Sequence, residues 1–183
     1  MAKEIAVVSG NESKAREIIA ILSDRGFSPV YVRAELQEIQ SDSLEQIASR
    51  KAIDAYSKVG RPVVVEDDGL FIESLRGFPG AYSSYVFRTI GCEGILRLLQ
   101  DAPDRRAYFL AIVAFYDGEK SPMLHTGRVS GAISNDIFKG GWGYDPIFVP
   151  EGSGMTFAQM GETKNRYSHR SRALEEFAKS WKS

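Results

Sequence analysis

A chain of 183 residues, 43% hydrophobic and 26% charged, has the composition of an ordinary globular domain and the length to bury a sizeable core. Its formal net charge of -1 excludes the basic footprint of a nucleic-acid binder and a polybasic membrane signal, and no apolar run approaches membrane-spanning length. The lone Cys92 excludes an internal disulfide framework and Ile5–Val8 is too short for a signal peptide, so the expectation is a single cytoplasmic domain over residues 1–183.

In chain order, Glu4–Val8 predicts a strand, Ser9-Gly10-Asn11 a turn with an N-cap, and Glu12 to Ser23 a helix. Ser28–Arg33 predicts a second strand and so a β-α-β start. A helix from Ser43 to Val59 leads through Pro62 into Val63-Val64-Val65, a β-branched strand apolar on both faces. That strand runs into Glu66, Asp67, Asp68 and Gly69, which reads as an acidic strand end or turn. Gly77–Gly80 predicts a turn and Gly91–Gln100 a short helix. Arg106–Tyr116 and Met123–Ile133 predict two long strands joined through the hairpin signal Asp117-Gly118. Gly140–Gly143 precedes a short strand at Pro146–Val149, and a last helix runs from Ser168 to Trp181. Alternation early and antiparallel strands in the middle predict an α/β fold with a central mixed sheet and flanking helices.

Cations on inward helix faces carry the functional signal. Lys51 falls inside the apolar arc of Leu44, Ile47, Ala48, Ala55 and Val59, where it must snorkel along its stem or meet an anion. Lys14 lies between Ile18 and Ile21 in angle and sits in a first helical turn, where a cation opposes the helix dipole by about 0.3–1 kcal/mol. A docked anion on the free N–H groups reverses that penalty, and Ser9-Gly10-Asn11 permits close backbone approach. Arg170 shares an arc with Ala173, Phe177 and Trp181 at the start of the last helix, and the run Lys164-Asn165-Arg166-Tyr167-Ser168-His169-Arg170 gathers donors there. Each case alone also fits a lysine or arginine stem packed over a core edge. Together they point to a multiply charged anion, most simply a phosphate chain.

Polyphosphate and carboxylates repel unless a divalent cation lies between them. Magnesium takes one or two carboxylates plus phosphate oxygens, and Glu66, Asp67 and Asp68, with Glu38, suit that need. In Gly140-Gly141-Trp142-Gly143-Tyr144-Asp145-Pro146, glycines flank two aromatics and an acid, so a planar ligand can approach; core aromatics beside a turn fit equally well. The chain has no GxxxxGK[ST] loop and no GxGxxG after a strand. Two histidines and one cysteine argue against zinc, and His125 within a strand reads as structural.

The segments SGNESKAREI, VVVEDDGLFIESLRGFPGAYSSYV, GGWGYDPIFVPEGSGMTFAQM and KNRYSHRSRAL resemble the Ham1-like inosine triphosphate/xanthosine triphosphate pyrophosphatases over nearly the whole chain. The resemblance implies an elongated mixed sheet with two lobes, a nucleotide cleft between them and a homodimer. It implies hydrolysis of non-standard purine triphosphates (ITP, dITP, XTP) to monophosphate and pyrophosphate, with magnesium or manganese as its substitute. By the same resemblance Ser9, Asn11, Lys14 and Lys51 bind phosphates, Glu38, Glu66 and Asp67 hold the metal, and Asp67 activates the attacking water. Trp142 stands where the family often has phenylalanine and stacks on the base; Tyr144, Asp145, Lys164, Ser168, His169 and Arg170 line the base and sugar pocket. Asp68 departs from the family's usual serine or threonine: as a substrate-side residue it could join the metal site, raise a neighbour's pKa, or face solvent. Three readings compete with this one. A Maf-like pyrophosphatase is disfavoured by the Ser-His-Arg block. A silent nucleotide sensor has no need of the acidic cluster. A plain interaction domain leaves Lys14, Lys51 and Arg170 unexplained.

Overall fold

The computed structural model describes residues 4–181. Strands β1 (Glu4–Val8), β2 (Ser28–Val32), β3 (Val63–Ile72), β4 (Pro79–Gly80), β5 (Arg106–Tyr116), β6 (Met123–Ile133) and β7 (Phe148–Pro150) form one seven-stranded sheet. Its order is β2-β1-β3-β5-β6-β7, with β4 beside β3. β1 pairs in parallel with β2 and β3, while β3–β4 and β6–β7 are antiparallel, so the sheet is mixed as the chain order predicts. The helices are α1 (Glu12–Asp24), α2 (Leu44–Val59), α3 (Ser83–Leu98), α4 (Phe157–Met160) and α5 (His169–Trp181). Among the described residues no helix is long and apolar enough to cross a membrane.

Local chemistry starts and stops the helices where the pattern places them. Asn11 caps α1 by accepting the Lys14 amide at 3.1 Å, and Ser43 caps α2 by accepting the Gln46 amide at 3.2 Å. Gly60 closes α2 in the left-handed region, φ 70°. Three expectations shift. The acidic run is no turn, because β3 continues through Glu66, Asp67, Asp68 and Gly69 to Ile72. The reason is β4, which pairs Gly80 with Leu70 and Pro79 with Phe71; a Cβ on Gly69 would lie 2.4 Å from the Gly80 carbonyl oxygen, so only glycine admits that strand. The helix expected at Gly91–Gln100 begins earlier, at Ser83, and bends at Gly91 (φ 64°, ψ -164°). Its first half exposes Tyr85, Phe87 and Ile90, which hides the amphipathic period. The short strand predicted at Pro146–Val149 starts at Phe148 instead, because the Ile147 and Phe148 amides both turn back to the Tyr144 carbonyl.

The chain divides into two compact units: Met1–Asp67 with Ala111–Gly127 and His169–Ser183, and Asp68–Leu110 with Arg128–Ser168. In the first, α1 and α5 pack together on the side of the sheet that carries Val64. Ile18, Ile21, Leu22, Ala173, Leu174 and Phe177 close over Ile5 and Val7. In the second, Leu70, Ile72, Ile95, Phe109, Phe148 and Phe157 form the core.

Candidate active site

The first unit holds the phosphate- and metal-directed candidates. Successive residues of a strand face opposite sides of the sheet, so Glu66 follows Val64 toward α1 and α5 while Asp67 turns toward α2. The partners obey that alternation. Asp67 Oδ2 lies 2.7 Å from Lys51 Nζ of α2, and Glu38 Oε1 lies 2.6 Å from the same ammonium. Lys51 sits on the buried face of α2 with Leu44, Ile47, Ala48 and Ala55, where the helical wheel places it, and its charge is met by two carboxylates. On the other side, Glu66 Oε2 lies 2.8 Å from Lys14 Nζ and Glu66 Oε1 lies 3.1 Å from Arg170 Nη2. Arg170 Nη1 in turn donates to Glu17 Oε2 at 2.5 Å. Arg170 and Glu66 have side-chain exposures of 1% and 0%. Desolvated charges of this kind persist only when paired.

The second unit holds the base-directed candidates. Lys164 Nζ donates to Asp145 Oδ2 at 2.5 Å in a buried pair, and the same oxygen accepts the Trp142 amide at 3.1 Å. The ammonium also stands 5.3 Å from the centre of the half-buried Trp142 ring. Gly141 makes this compact: a Cβ there would lie 2.8 Å from Asp145 Oδ2, so glycine admits the carboxylate as well as any ligand. Tyr144 belongs to the core. Its hydroxyl donates to the Ser83 carbonyl at 3.3 Å, its ring meets Phe87 edge-on at 5.3 Å, and burial pushes its phenol pKa up. Ser168 is buried, and its amide donates to the Lys164 carbonyl at 2.8 Å.

The sequence profile of the Ham1 family matches residues 5–180. A dITP/XTP pyrophosphatase of Pyrococcus horikoshii is 48% identical over 177 residues, covering 95% of this chain and 94% of that one. One of Methanopyrus kandleri is 45% identical over 181 residues, covering 98% and 96%. The solved Ham1 protein of Staphylococcus aureus superposes with a TM-score of 0.82 at 27% identity, covering 98% of each chain. The chain belongs to the Ham1 family.

For this Ham1 chain the structure rearranges the candidates drawn from sequence. Glu38 and Asp67 come together on Lys51, but Glu66, grouped with them for the metal, faces the other side of the sheet with both oxygens beside cations. Arg170, expected at the base, points inward onto Glu17 and Glu66. His169 is buried at the first position of α5. Tyr144 is a core residue of the second unit rather than a lining one. Asn11 spends its side-chain carbonyl on the α1 cap, and Ser9 Oγ accepts the Asn11 amide at 3.1 Å. Asp68 shares the Glu66 side of β3 by the pleat and is half-buried. Glu17 and Gly127 were missed. Glu17 had a readable signal, an acid one turn from Lys14 on the inward arc of α1 with Ile18 and Ile21. So had Gly127, a glycine inside a strand, which marks a close backbone approach.

A divalent cation is tested by the donors themselves. Glu38 and Asp67 already converge on one cationic group, Lys51 Nζ, at 2.6 and 2.7 Å, and hard carboxylate oxygens are the ligands that magnesium and manganese prefer. Glu38 keeps 68% of its side chain exposed, which leaves that pair accessible. These two residues fit the ion.

Proposed function

We propose that this protein hydrolyses non-standard purine nucleoside triphosphates (dITP, ITP and XTP) to the monophosphate and pyrophosphate. The observation that carries the reading is the Glu38–Lys51–Asp67 cluster, in which two carboxylates share one buried-face lysine in the unit that also holds Lys14. A structural ion pair needs one acid per lysine; the second acid is explained by a site that handles a cation and an anion together.

Magnesium, held by Glu38 and Asp67, would supply charge neutralisation and Lewis acidity. The chain's own residues do the rest. Lys14 and Lys51 bind the phosphates and stabilise charge developing on the departing pyrophosphate. Asp67 takes the proton of the attacking water; a placed carboxylate base contributes about 10²–10⁴-fold. In the second unit Trp142 offers a face for the purine ring, and Lys164 is the donor suited to a 6-keto group. Adenine would present its amino group to that donor, which leaves both unpaired. Asp145 orients Lys164.

The test measures pyrophosphate released from dITP, XTP, GTP and ATP, with and without magnesium. Preference for dITP and XTP, dependence on magnesium, and a loss of about 100-fold or more in Asp67→Asn are expected. Equal rates on all four nucleotides, or an active Asp67→Asn enzyme, would refute the reading. Tight nucleotide binding without turnover would favour a sensor. A homodimer belongs to the same proposal, with Tyr85, Phe87 and Ile90 of α3 as exposed apolar surface, and sedimentation velocity checks it.

A further inference from the structure

Resting on that function, we propose that Asp54 and Lys58 of α2 are positioning residues for the metal-directed carboxylate of Glu38, because they clamp the segment that carries it along the helix. Residues 33–43 join β2 to α2 without helix or strand, and Glu38 lies in their midst with 68% of its side chain exposed. Asp54 Oδ2 accepts the amide of Gln37, the residue before Glu38, at 2.9 Å, and it accepts Lys58 Nζ at 2.8 Å. Lys58 Nζ also donates to the Glu35 carbonyl at 2.6 Å, and Lys51 Nζ meets Glu38 at 2.6 Å. All these groups belong to the first unit.

Helix geometry sets the register. Lys51, Asp54 and Lys58, spaced by three and then four residues, form one ridge along α2. The segment runs antiparallel to that ridge: Glu35 docks at Lys58, Gln37 at Asp54 and Glu38 at Lys51. Seven helical residues rise by about 10.5 Å, and three residues of extended chain cover about 10–11 Å, a matching length. An acid–lysine pair at i, i+4 is ordinary on a solvated helix face, but here both partners also bond backbone atoms of the segment. Such contacts fix the chain whatever side chains stand at 35 and 37. Hydrogen bonds from Lys58 and from the Gln37 amide hold the Asp54 carboxyl below its ordinary pKa, so the acceptor is charged at neutral pH. The far end is tied at the α2 cap, where Ser41 Oγ accepts the Ser43 amide at 3.1 Å and donates to Gln46 Oε1 at 3.0 Å. Ordering an irregular segment costs backbone entropy, and the clamp offsets that cost before an ion arrives.

The variants Asp54→Ala, Asp54→Asn and Lys58→Met, with Glu38→Gln alone and combined with Asp54→Ala, test the clamp. Manganese binding to the nucleotide-free protein is measured by electron paramagnetic resonance, exchange of the Gln37 amide by NMR, and the magnesium dependence of pyrophosphate release from dITP by titration. Asp54→Ala and Lys58→Met should each weaken manganese binding by about five- to tenfold and speed exchange of the Gln37 amide. Both should raise the half-saturating magnesium concentration more than they lower the rate at saturation. Asp54→Asn keeps an oxygen for the Gln37 amide and should recover most of the affinity. In the Glu38→Gln background, Asp54→Ala should change manganese binding by less than about twofold, since its effect passes through Glu38. A full loss in that background would overturn the clamp. So would an Asp54→Ala protein whose Gln37 amide exchanges freely while manganese binds as in wild type. Wild-type protein that binds manganese with this dependence on Asp54 and Glu38, yet releases no pyrophosphate from dITP or XTP, would support the clamp and refute the functional reading.

Discussion

Replacing Gly127 with alanine adds one methyl group under the first turn of α5. Built on the backbone, that carbon would lie 2.0 Å from the His169 carbonyl oxygen, 2.4 Å from the Ala173 amide nitrogen and 3.0 Å from Arg172 Cβ. The two nearest atoms are backbone, so no side chain can rotate away. Since Cβ contacts below 3.0 Å essentially never occur, the start of α5 must shift by about 1 Å. Overpacking of this kind costs about 1–3 kcal/mol. For a chain of this length that lowers the melting temperature by about 5 °C. The shift also displaces Arg170, whose reach to Glu17 and Glu66 is set to tenths of an ångström, and misplacement by about 1 Å can cost up to about 100-fold in rate. Scanning calorimetry and dITP turnover should therefore both change in Gly127→Ala. Gly154→Ala, where the added carbon meets nothing within 4 Å, is the control and should stay within about 0.5 kcal/mol of wild type. A Gly127→Ala protein that melts within 1 °C or so of wild type and turns over normally would refute the close-approach argument.

Three further outcomes follow from individual contacts. Lys164→Met leaves the Asp145 carboxylate buried without its 2.5 Å partner, and should destabilise by about 3–5 kcal/mol; the double variant with Asp145→Asn should recover part of that in urea unfolding. For His125, desolvation lowers the pKa below 6.5 against a smaller opposing effect of Glu176, so below that pH the unfolded chain binds more protons and stability falls as pH falls. His125→Phe keeps a ring against Phe177, 5.6 Å away, and should flatten the stability profile between about pH 7 and 5; an unchanged slope would clear His125 of the effect. Cys92 is buried beside Glu93 and Asp145 and its thiol pKa is pushed up to about 11, mainly by burial. Its reaction with a disulfide reagent near pH 8 should run on the order of a hundredfold slower than in denaturant, and comparable rates would show the thiol to be accessible.

The sequence carried much of the architecture because its strongest signals are local. Asn11 and Ser43 announce their helices by capping, Gly60 ends one, and the two long middle strands are bounded to the residue as runs of strand-forming residues on either side of the Asp117-Gly118 hairpin signal. The inward positions of Lys14, Lys51 and Arg170 are likewise consequences of a 3.6-residue period. What the period cannot say is which anion a buried cation meets. Phosphate seemed the natural partner for all three, yet each is paired with a carboxylate of its own chain.

Long-range pairing decided the remainder. The acidic run was locally indistinguishable from a turn, and it became a strand because β4 returns to pair with it across Gly69. Once extended, its pleat sent Glu66 and Asp67 to opposite sides, separating an expected metal trio into a Glu38–Asp67 pair on Lys51 and a Glu66 that meets Lys14 and Arg170. Adjacency in sequence therefore fixed the alternation of these carboxylates, since a strand has a period of two. Their partners came from α1, α2 and α5, helices far apart in sequence, and only the tertiary packing could select them.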